Sequence, residues 1–507
     1  MWRGGGVPLT APSLSHALRV AALVLSGAFI ALYLAVALAR VAFPYELEWM
    51  EGGAVDHVRR LLSGQPLYVK PSLEFIPYIY PPLYFEVCAM VCRATDAGFA
   101  PMRAVSIAAS LGCFVLLFLI VRRETGSTSA GLLGAGLFAA TYRVSGAWLD
   151  LARVDSLFLM LTLASAYVLR GGDALWRCAA AGALMTMSFL TKQPAAIVAL
   201  ALVPHEILRR RGLARIAFPV SFAALAAASV ALLDARSEGW FAWYVLDLPR
   251  QHALETSMFL GFWTHDIARH LPIAAGMAVV WLIIGRRGTG VSPLFTSSLA
   301  AGMLAAAWTG RVHTGGYDNV LLPACAAMAL LFGASAHALI QRADGRSHGR
   351  PALVHLLCCI QLIALLYDPF EQIPTQADVD AGDQLVQLIG RIPGDVYLPM
   401  HGYLPALAGK ATWAQAQAID DVSRGTNQEL IDGLDAQLTQ AVVDGRFGAI
   451  IIDAMGWPFH EEMSRRYEDK GPLWRDPAVL MPRTGLKTRP EVLYLLREGD
   501  GRLPAHR

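Results

Sequence analysis

The sequence predicts a mostly helical, polytopic membrane protein of about eleven transmembrane helices, followed by a soluble α/β domain. Three observations support this fold class. Hydrophobic residues make up 55% of the 507 residues and charged residues 16%, and the mean hydropathy is +0.44. Apolar segments recur up to about residue 370, separated by short polar connections. The remaining sequence has the mixed composition of a soluble domain.

The first apolar segment, residues 20–39, is long enough to cross a bilayer. It exceeds the apolar core of a signal peptide, so we expect an uncleaved anchor helix. Some later segments are short, which indicates tilted or partly sheltered helices. These later segments are residues 101–121, 130–147, 154–169, 178–190, 194–207, 213–233, 271–284, 293–308, 320–339 and 351–366.

Arginines mark every second connection, and by the positive-inside rule these connections are cytoplasmic. They are Arg122, Arg123, Arg170, Arg177, Arg209, Arg210, Arg211, Arg215, Arg286, Arg287, Arg342, Arg346 and Arg350. The opposite side then receives residues 44–100, 142–153, 191–194, 234–270, 309–319 and everything after Tyr367. The net charge of +2 gives no reason to expect nucleic acid as a partner.

The predicted domains are residues 1–370, which cross the membrane, and residues 371–507, which are soluble and extracytoplasmic. The second part holds about 20 of the 40 acidic and about 14 of the 42 basic residues. Its runs 395–400, 449–453 and 492–496 are typical of strands, and residues 427–443 have helical spacing. No cysteine lies in this part, and the seven cysteines elsewhere show no metal-binding spacing.

The first outward loop, 44–100, presents Glu46, Glu48 and Glu51 directly after the first span. Carboxylates at the water boundary ionise, and the neighbouring membrane keeps a lipid-borne substrate close to them. The alternatives are a solvated loop with an interfacial aromatic belt, or carboxylates that merely pair with Arg59 or Arg60.

Three further positions on the outward side can hold an anion. Arg153 and Asp155 flank the start of a span, where they either pair with each other or meet a phosphate. Lys192, one of five lysines, and Arg311, beside two glycines, have no obvious structural partner in the sequence. A snorkelling side chain is the alternative for Lys192.

These motifs, in this order, resemble the GT-C glycosyltransferase superfamily, and most closely its bacterial mannosyltransferase-like and aminoarabinose transferase-like branch. The resemblance rests on the acidic outward loop, Tyr-Pro-Pro-Leu-Tyr at 80–84, Arg-x-Asp at 153–155, Leu-Thr-Lys-x-Pro at 190–194 and a late Arg…Tyr at 311–317. It implies catalytic residues Glu48 or Glu51. It also implies a substrate-binding set of Tyr80, Tyr84, Arg153, Asp155, Lys192, Arg311 and Tyr317.

The resemblance implies an inverting transfer of a hexose or pentose from a polyprenyl-phosphate carrier to a lipid, glycan or protein acceptor. The reaction is expected on the outer face of the cytoplasmic membrane. The alternatives are a transporter or flippase of lipid-linked glycans, and a scaffold whose acidic tail recruits partners. A transporter would show paired repeats with ionisable residues near the midplane, whereas here the charges concentrate at one face. The sequence leaves open the sugar, the acceptor, and whether a divalent metal assists.

Overall fold

The structure is a computed structural model that describes residues 11–284, 293–342, 349–454 and 459–497. The arginines Arg286, Arg287 and Arg346, which the sequence analysis assigned to cytoplasmic connections, lie outside the described residues.

The chain is mostly helical, as predicted. The helices up to residue 370 that have eight or more residues are α1 (Ala11–Arg40), α2 (Glu51–Leu62), α3 (Leu83–Cys92), α4 (Phe99–Thr125), α5 (Thr128–Ala140), α6 (Asp155–Leu169), α7 (Leu175–Phe189), α8 (Ala195–Arg209), α9 (Ala214–Arg236), α10 (Pro272–Ile284), α11 (Pro293–Arg311), α12 (Leu322–Gln341) and α13 (Gly349–Ile363). Between α9 and α10 the chain forms short helical pieces, including π-helical turns at Trp243–Asp247 and Phe262–Ala268.

The predicted count of about eleven spans is not confirmed. Among the described residues, four helices are long and apolar enough to cross a membrane: Leu14–Arg40, Phe99–Thr125, Ala214–Arg236 and Asp318–Gln341. A pair bent by 105°, Met258–Ala268 with Pro272–Ile283, makes a fifth if it counts as one span. Several other predicted spans form helices of 15 residues, such as α6 and α8. A straight helix of that length reaches roughly 22 Å, less than the apolar thickness of a bilayer.

Helix α12 lies at the centre of the bundle, and its residues 322–336 are all buried. Its sequence is rich in alanine, and Gly333 packs against the backbone of Ala130 in α5. Inside a bilayer the hydrophobic effect does not drive helices together, so they associate through close packing. Small residues allow this close approach. The central position of α12 therefore follows from its composition.

Connections that the arginine pattern assigns to one side contact each other. On the arginine-rich side, Arg170 pairs with Glu124 at 2.6 Å and Arg210 with Asp173 at 2.7 Å. On the other side, Arg40 at the end of α1 pairs with Asp150 at 2.6 Å. The two predicted sets of connections thus gather at opposite ends of the bundle.

The chain after residue 370 contains α14 (Gln376–Arg391), α15 (Ala416–Ser423), α16 (Gln428–Val443) and a four-stranded sheet. The strands are β1 (Asp395–Tyr397), β2 (Phe447–Asp453), β3 (Tyr467–Pro472) and β4 (Pro490–Leu496), in the order β1-β2-β4-β3. Strand β1 runs parallel to β2, whereas β4 is antiparallel to β2 and β3. The predicted strand runs correspond to β1, β2 and β4, and β3 was not predicted.

Candidate active site

Glu48 and Arg153 form a buried ion pair between the first outward loop and the start of α6. The Arg153 Nη1 atom lies 3.2 Å from Glu48 Oε2 and 3.4 Å from Oε1. Glu48 is 0% exposed and Arg153 4%. The sequence-based alternatives, pairing of Glu48 with Arg59 or Arg60 and of Arg153 with Asp155, are therefore wrong.

The burial of Glu48 changes its acidity. Removal from water raises the pKa of the Glu48 carboxyl to about 8, and the Arg153 guanidinium offsets only part of that rise. The expectation that this carboxylate lies at the water boundary is wrong, because Glu48 is fully buried. A carboxyl group with a pKa near neutrality can accept and release a proton at physiological pH.

Glu51, the other predicted catalytic residue, is fully engaged. Its two oxygens accept hydrogen bonds from Arg103 at 2.9 and 2.6 Å and from the backbone N–H groups of Ala152 and Leu47 at 2.7 and 2.8 Å. Burial raises the pKa of Glu51, but Arg103 and the two N–H groups lower it more, so that the net shift is downward. Glu51 begins α2 and Glu48 precedes that helix, so the two do not share a helical face. Glu51 therefore holds the loop in place, and Glu48 is the better candidate for a base.

A second buried ion pair lies beside the first. Lys192 Nζ is 2.6 Å from Asp155 Oδ1, which also accepts a hydrogen bond from Asn319 Nδ2 at 3.0 Å. Tyr80 lies between the two pairs: Arg153 Nη2 lies 3.1 Å from its hydroxyl oxygen, and Lys192 Nζ lies 5.9 Å from the centroid of its ring. The expectation that Lys192 lacks a structural partner is wrong.

Three buried polar atoms around these pairs have no hydrogen-bond partner in the described part of the chain. They are Trp49 Nε1, Trp148 Nε1 and Asp155 Oδ2. The rings of Trp49 and Trp148 meet edge to face at 6.2 Å, and Arg153 lies over the Trp148 ring at 5.4 Å. Buried polar groups are usually paired, so unpaired donors and an acceptor at one place indicate a binding site for a polar group.

A largely apolar pocket of about 520 Å³ adjoins Lys192. Residues of the connection after α9 and of α8 form its apolar wall, and Lys192, Arg250 and His313 bring polar groups to it. Gln193 fixes two sides of this pocket, because its amide donates to the carbonyl groups of Ile79 and Val245 at 2.6 and 3.0 Å. The arrangement combines a cation with an apolar channel.

The remaining predicted residues lie around this centre. Tyr317 packs on Trp49, with ring centroids 4.6 Å apart. Tyr84 lies behind Arg153: it contacts Ser106, which in turn donates to the Arg153 carbonyl at 3.4 Å. Arg311 does not line the pocket of Lys192, and the expectation that it has no partner is wrong, because Asp266 binds it at 2.8 and 3.0 Å.

Comparison with known proteins identifies the architecture. A sequence model of the dolichyl-phosphate-mannose-protein mannosyltransferase family matches residues 80–233, the stretch that holds Tyr80, Arg153, Asp155 and Lys192. The crystal structure of ArnT from Cupriavidus metallidurans in the apo state matches with a TM-score of 0.61 at 14% identity, over 94% of this chain and 98% of that chain. The chain has the GT-C fold.

A second structure of the same ArnT, bound to undecaprenyl phosphate, matches with a TM-score of 0.57 at 13% identity, over the same shares of both chains. At such identities the likeness shows the fold. No curated protein matches the sequence. The predicted resemblance to the GT-C superfamily of membrane glycosyltransferases is confirmed.

Residues far along the sequence also cover the site. Gln415, just before α15, donates to the carbonyl groups of Trp49 and Met400, both at 3.1 Å. Gly485, with a φ of 72°, packs on the ring of Trp49 and against Glu48, where a side chain would clash. Asp421 in α15 is buried, which raises its pKa to about 7, and Arg153 is among the charges that act on it. The C-terminal part thus covers the candidate site at Trp49 and Glu48.

His401 joins the C-terminal sheet to the first outward loop. Its imidazole contacts Glu46 through Nδ1 and lies 3.1 Å from Asp453 Oδ2 through Nε2. Burial alone lowers the pKa of His401, but the carboxylates of Asp453 and Glu46 raise it to about 10. Glu46 therefore contacts a charged histidine through Oε2, and this contact ties the first outward loop to the C-terminal sheet.

Several of these residues were missed in the sequence. Arg103 was detectable, since a lone arginine within an apolar span is costly without a partner. Trp49 and Trp148 stand beside residues that were singled out, but indoles near a membrane usually mark the interface. Asn319, His401 and Asp421 carry no motif. Within the described ranges, no three His, Cys, Asp or Glu side chains are arranged to hold a metal ion.

Proposed function

We propose that this protein is an inverting glycosyltransferase that moves a hexose or pentose from a polyprenyl-phosphate carrier to a lipid, glycan or protein acceptor. The observation that supports this proposal is the juxtaposition of the Glu48–Arg153 pair with an apolar pocket that ends at Lys192. One buried carboxylate with a raised pKa, two buried cations and a channel for a lipid chain are the groups that this reaction needs.

In this proposal the carrier lies in the pocket with its phosphate toward Lys192. Its isoprenoid chain lies on the apolar wall, which includes Phe189, Pro194 and Val245. Its phosphate then reaches Lys192, with Arg153 beyond it through Tyr80. Cations that are already in place stabilise the negative charge that develops on a leaving phosphate without reorganisation during the reaction.

The transfer itself is a displacement at the anomeric carbon. The acceptor hydroxyl attacks that carbon while its proton passes to the Glu48 carboxylate, and the bond between the anomeric carbon and the phosphate oxygen breaks. The electron pair of that bond leaves with the polyprenyl phosphate. The indole N–H groups of Trp49 and Trp148, which have no partner among the described residues, are placed to hold hydroxyl groups of a sugar. No step requires acid catalysis, because phosphate is a good leaving group.

Mass spectrometry of glycolipids and surface glycans, with and without the protein, tests this function. We expect one polyprenyl-phosphate sugar to accumulate and one glycosylated product to disappear when the protein is absent. A lipid-linked glycan that changes its side of the membrane, with the composition of every product unchanged, would instead identify a transporter.

Lys192→Ala should weaken binding of a polyprenyl-phosphate ligand by roughly ten- to a hundredfold, because a hydrogen bond to a charged group contributes about 1.5–3 kcal/mol. Binding to the purified protein in detergent measures this effect. Lys70→Ala, which changes an exposed lysine of the first outward loop, is the control. Arg311→Ala tests the predicted carrier contact of Arg311 separately. Unchanged binding to the Lys192 variant at normal expression would remove Lys192 from the site.

We further propose that the N-terminus is cytoplasmic and that residues 371–507 form an extracytoplasmic domain of an inner-membrane protein. The alternating arginine pattern supports this orientation. Reporter fusions at Gly345 and Arg507, both outside the described residues, should report opposite sides of the membrane. The same side for both would contradict the orientation and the outer placement of the active site.

A further inference from the structure

A second pocket lies at the end of the bundle away from Glu48. It has a volume of about 520 Å³ and lies between the first turns of α1, the start of α5, the last turns of α12 and the start of α13. Arg19 of α1 lines it, and Arg40 at the other end of the same helix contacts Asp150 beside the active site. The two sites are therefore roughly 32 Å apart along α1.

The lining of this pocket combines one arginine with several hydrogen-bonding side chains. Arg19, His16, His337 and His355 contribute to it, together with the side chains of Ser15, Ser127 and Ser129, and no acidic residue lines it. Three different helices bring Arg19 and the histidines together. His355 is buried, and its Nδ1 atom lies 3.5 Å from the Ser15 hydroxyl group, so α1 and α13 meet at the pocket floor.

Arg19 differs from Arg170 and Arg210 at this end of the bundle. Arg170 and Arg210 each contact a carboxylate of a neighbouring element. In the described part of the chain, Arg19 has no such carboxylate in contact with it. A cation that faces a cavity without a counter-charge makes that cavity attractive to an anion.

Two further features match a phosphoryl group. Helix α5 begins at the pocket, with Ser127 as its cap, and the N-terminus of a helix carries partial positive charge and free N–H donors. The other wall is apolar and consists of Ala130, Leu133, Ala336 and Ile340. Basic pockets between membrane helices, with an apolar wall for an acyl chain, are the type of site that binds anionic lipid headgroups.

We propose that this pocket binds a phosphoryl group, separately from the carrier site at Lys192. An anionic phospholipid of the leaflet on the arginine-rich side would supply that group and leave its acyl chain on the apolar wall. Inorganic phosphate shares the recognised chemistry but not the acyl chain.

The test uses the full-length protein in neutral detergent and measures binding of phosphatidylglycerol, with diacylglycerol, which has acyl chains but no phosphoryl group, as the comparison. Arg19→Gln and His16→Gln change exposed side chains and should leave the fold intact. We expect Arg19→Gln to weaken phosphatidylglycerol binding by at least about tenfold. Arg215→Gln, an exposed arginine at the same end that does not line the pocket, should bind as the unaltered protein does.

The outcomes separate the two sources of phosphate. If inorganic phosphate does not displace the phospholipid, the natural occupant of the site is a lipid. If inorganic phosphate displaces the lipid and its own binding depends on Arg19, the natural occupant is free phosphate. Equal binding of phosphatidylglycerol and diacylglycerol would overturn the proposal. So would a loss of affinity that is the same in Arg19→Gln and Arg215→Gln. Carrier binding at Lys192 should be unchanged in all three variants.

Discussion

Glu48→Gln should lower turnover by about 10²–10⁴ while leaving carrier binding nearly intact. Glutamine keeps the shape of the side chain and its contact with Arg153 but cannot take the acceptor proton. Because burial raises the pKa of Glu48 to about 8, kcat/KM of the unaltered enzyme should rise with pH up to about 8 and then level off. A general base works only in its deprotonated form. The rise of kcat/KM with pH should therefore be absent from the residual activity of the variant.

The matched control is Glu74→Gln. This change removes an exposed carboxylate of the first outward loop, which lies 3.0 Å from Arg446. It should turn over at the normal rate. Normal turnover in Glu48→Gln together with an inactive, stably folded Glu51→Gln would move the role of the base to Glu51. Normal turnover in both variants would show that this loop does not carry the chemistry.

Arg103→Ala should lower the free energy of unfolding by about 3–5 kcal/mol, because it leaves the Glu51 carboxylate buried without its charge partner. The substitution also removes hydrogen bonds from Arg103 to the carbonyl groups of Phe43 and Tyr45, both at 2.6 Å. These contacts hold the loop that presents Glu48. Thermal unfolding of the purified protein in detergent should show a markedly lower midpoint.

Arg59→Ala provides the control, since Arg59 pairs with Asp56 at 3.2 Å but is 42% exposed. Exposed pairs contribute about 0–1 kcal/mol, so its unfolding midpoint should change little. If Arg103→Ala unfolds at the same temperature as the unaltered protein, Glu51 does not depend on Arg103, and the structural role assigned to Glu51 is wrong.

Local patterns in the sequence were sufficient for the class of protein and for the grouping of its connections. Apolar segment length indicates membrane helices, and arginine placement separates the two sets of loops that the structure brings together at opposite ends. The lengths of the apolar segments overestimated the number of membrane-spanning helices, since helices such as α6 and α8 are too short to cross a bilayer unaided. Strand β3 escaped prediction because its sequence, YEDKGP, is charged and exposed, as suits an edge strand.

The sequence by itself determined that Glu48, Arg153, Asp155 and Lys192 belong to one side of a membrane protein. Only the tertiary structure decided which charge pairs with which. Glu48 meets Arg153 across 105 residues, Glu51 meets Arg103 across 52, and Glu46 meets His401 across 355. Such pairs depend on how helices and loops pack, and no periodicity in the chain encodes them. The same packing removes Glu48 from water, so its raised pKa is a property of the fold and not of the sequence around it.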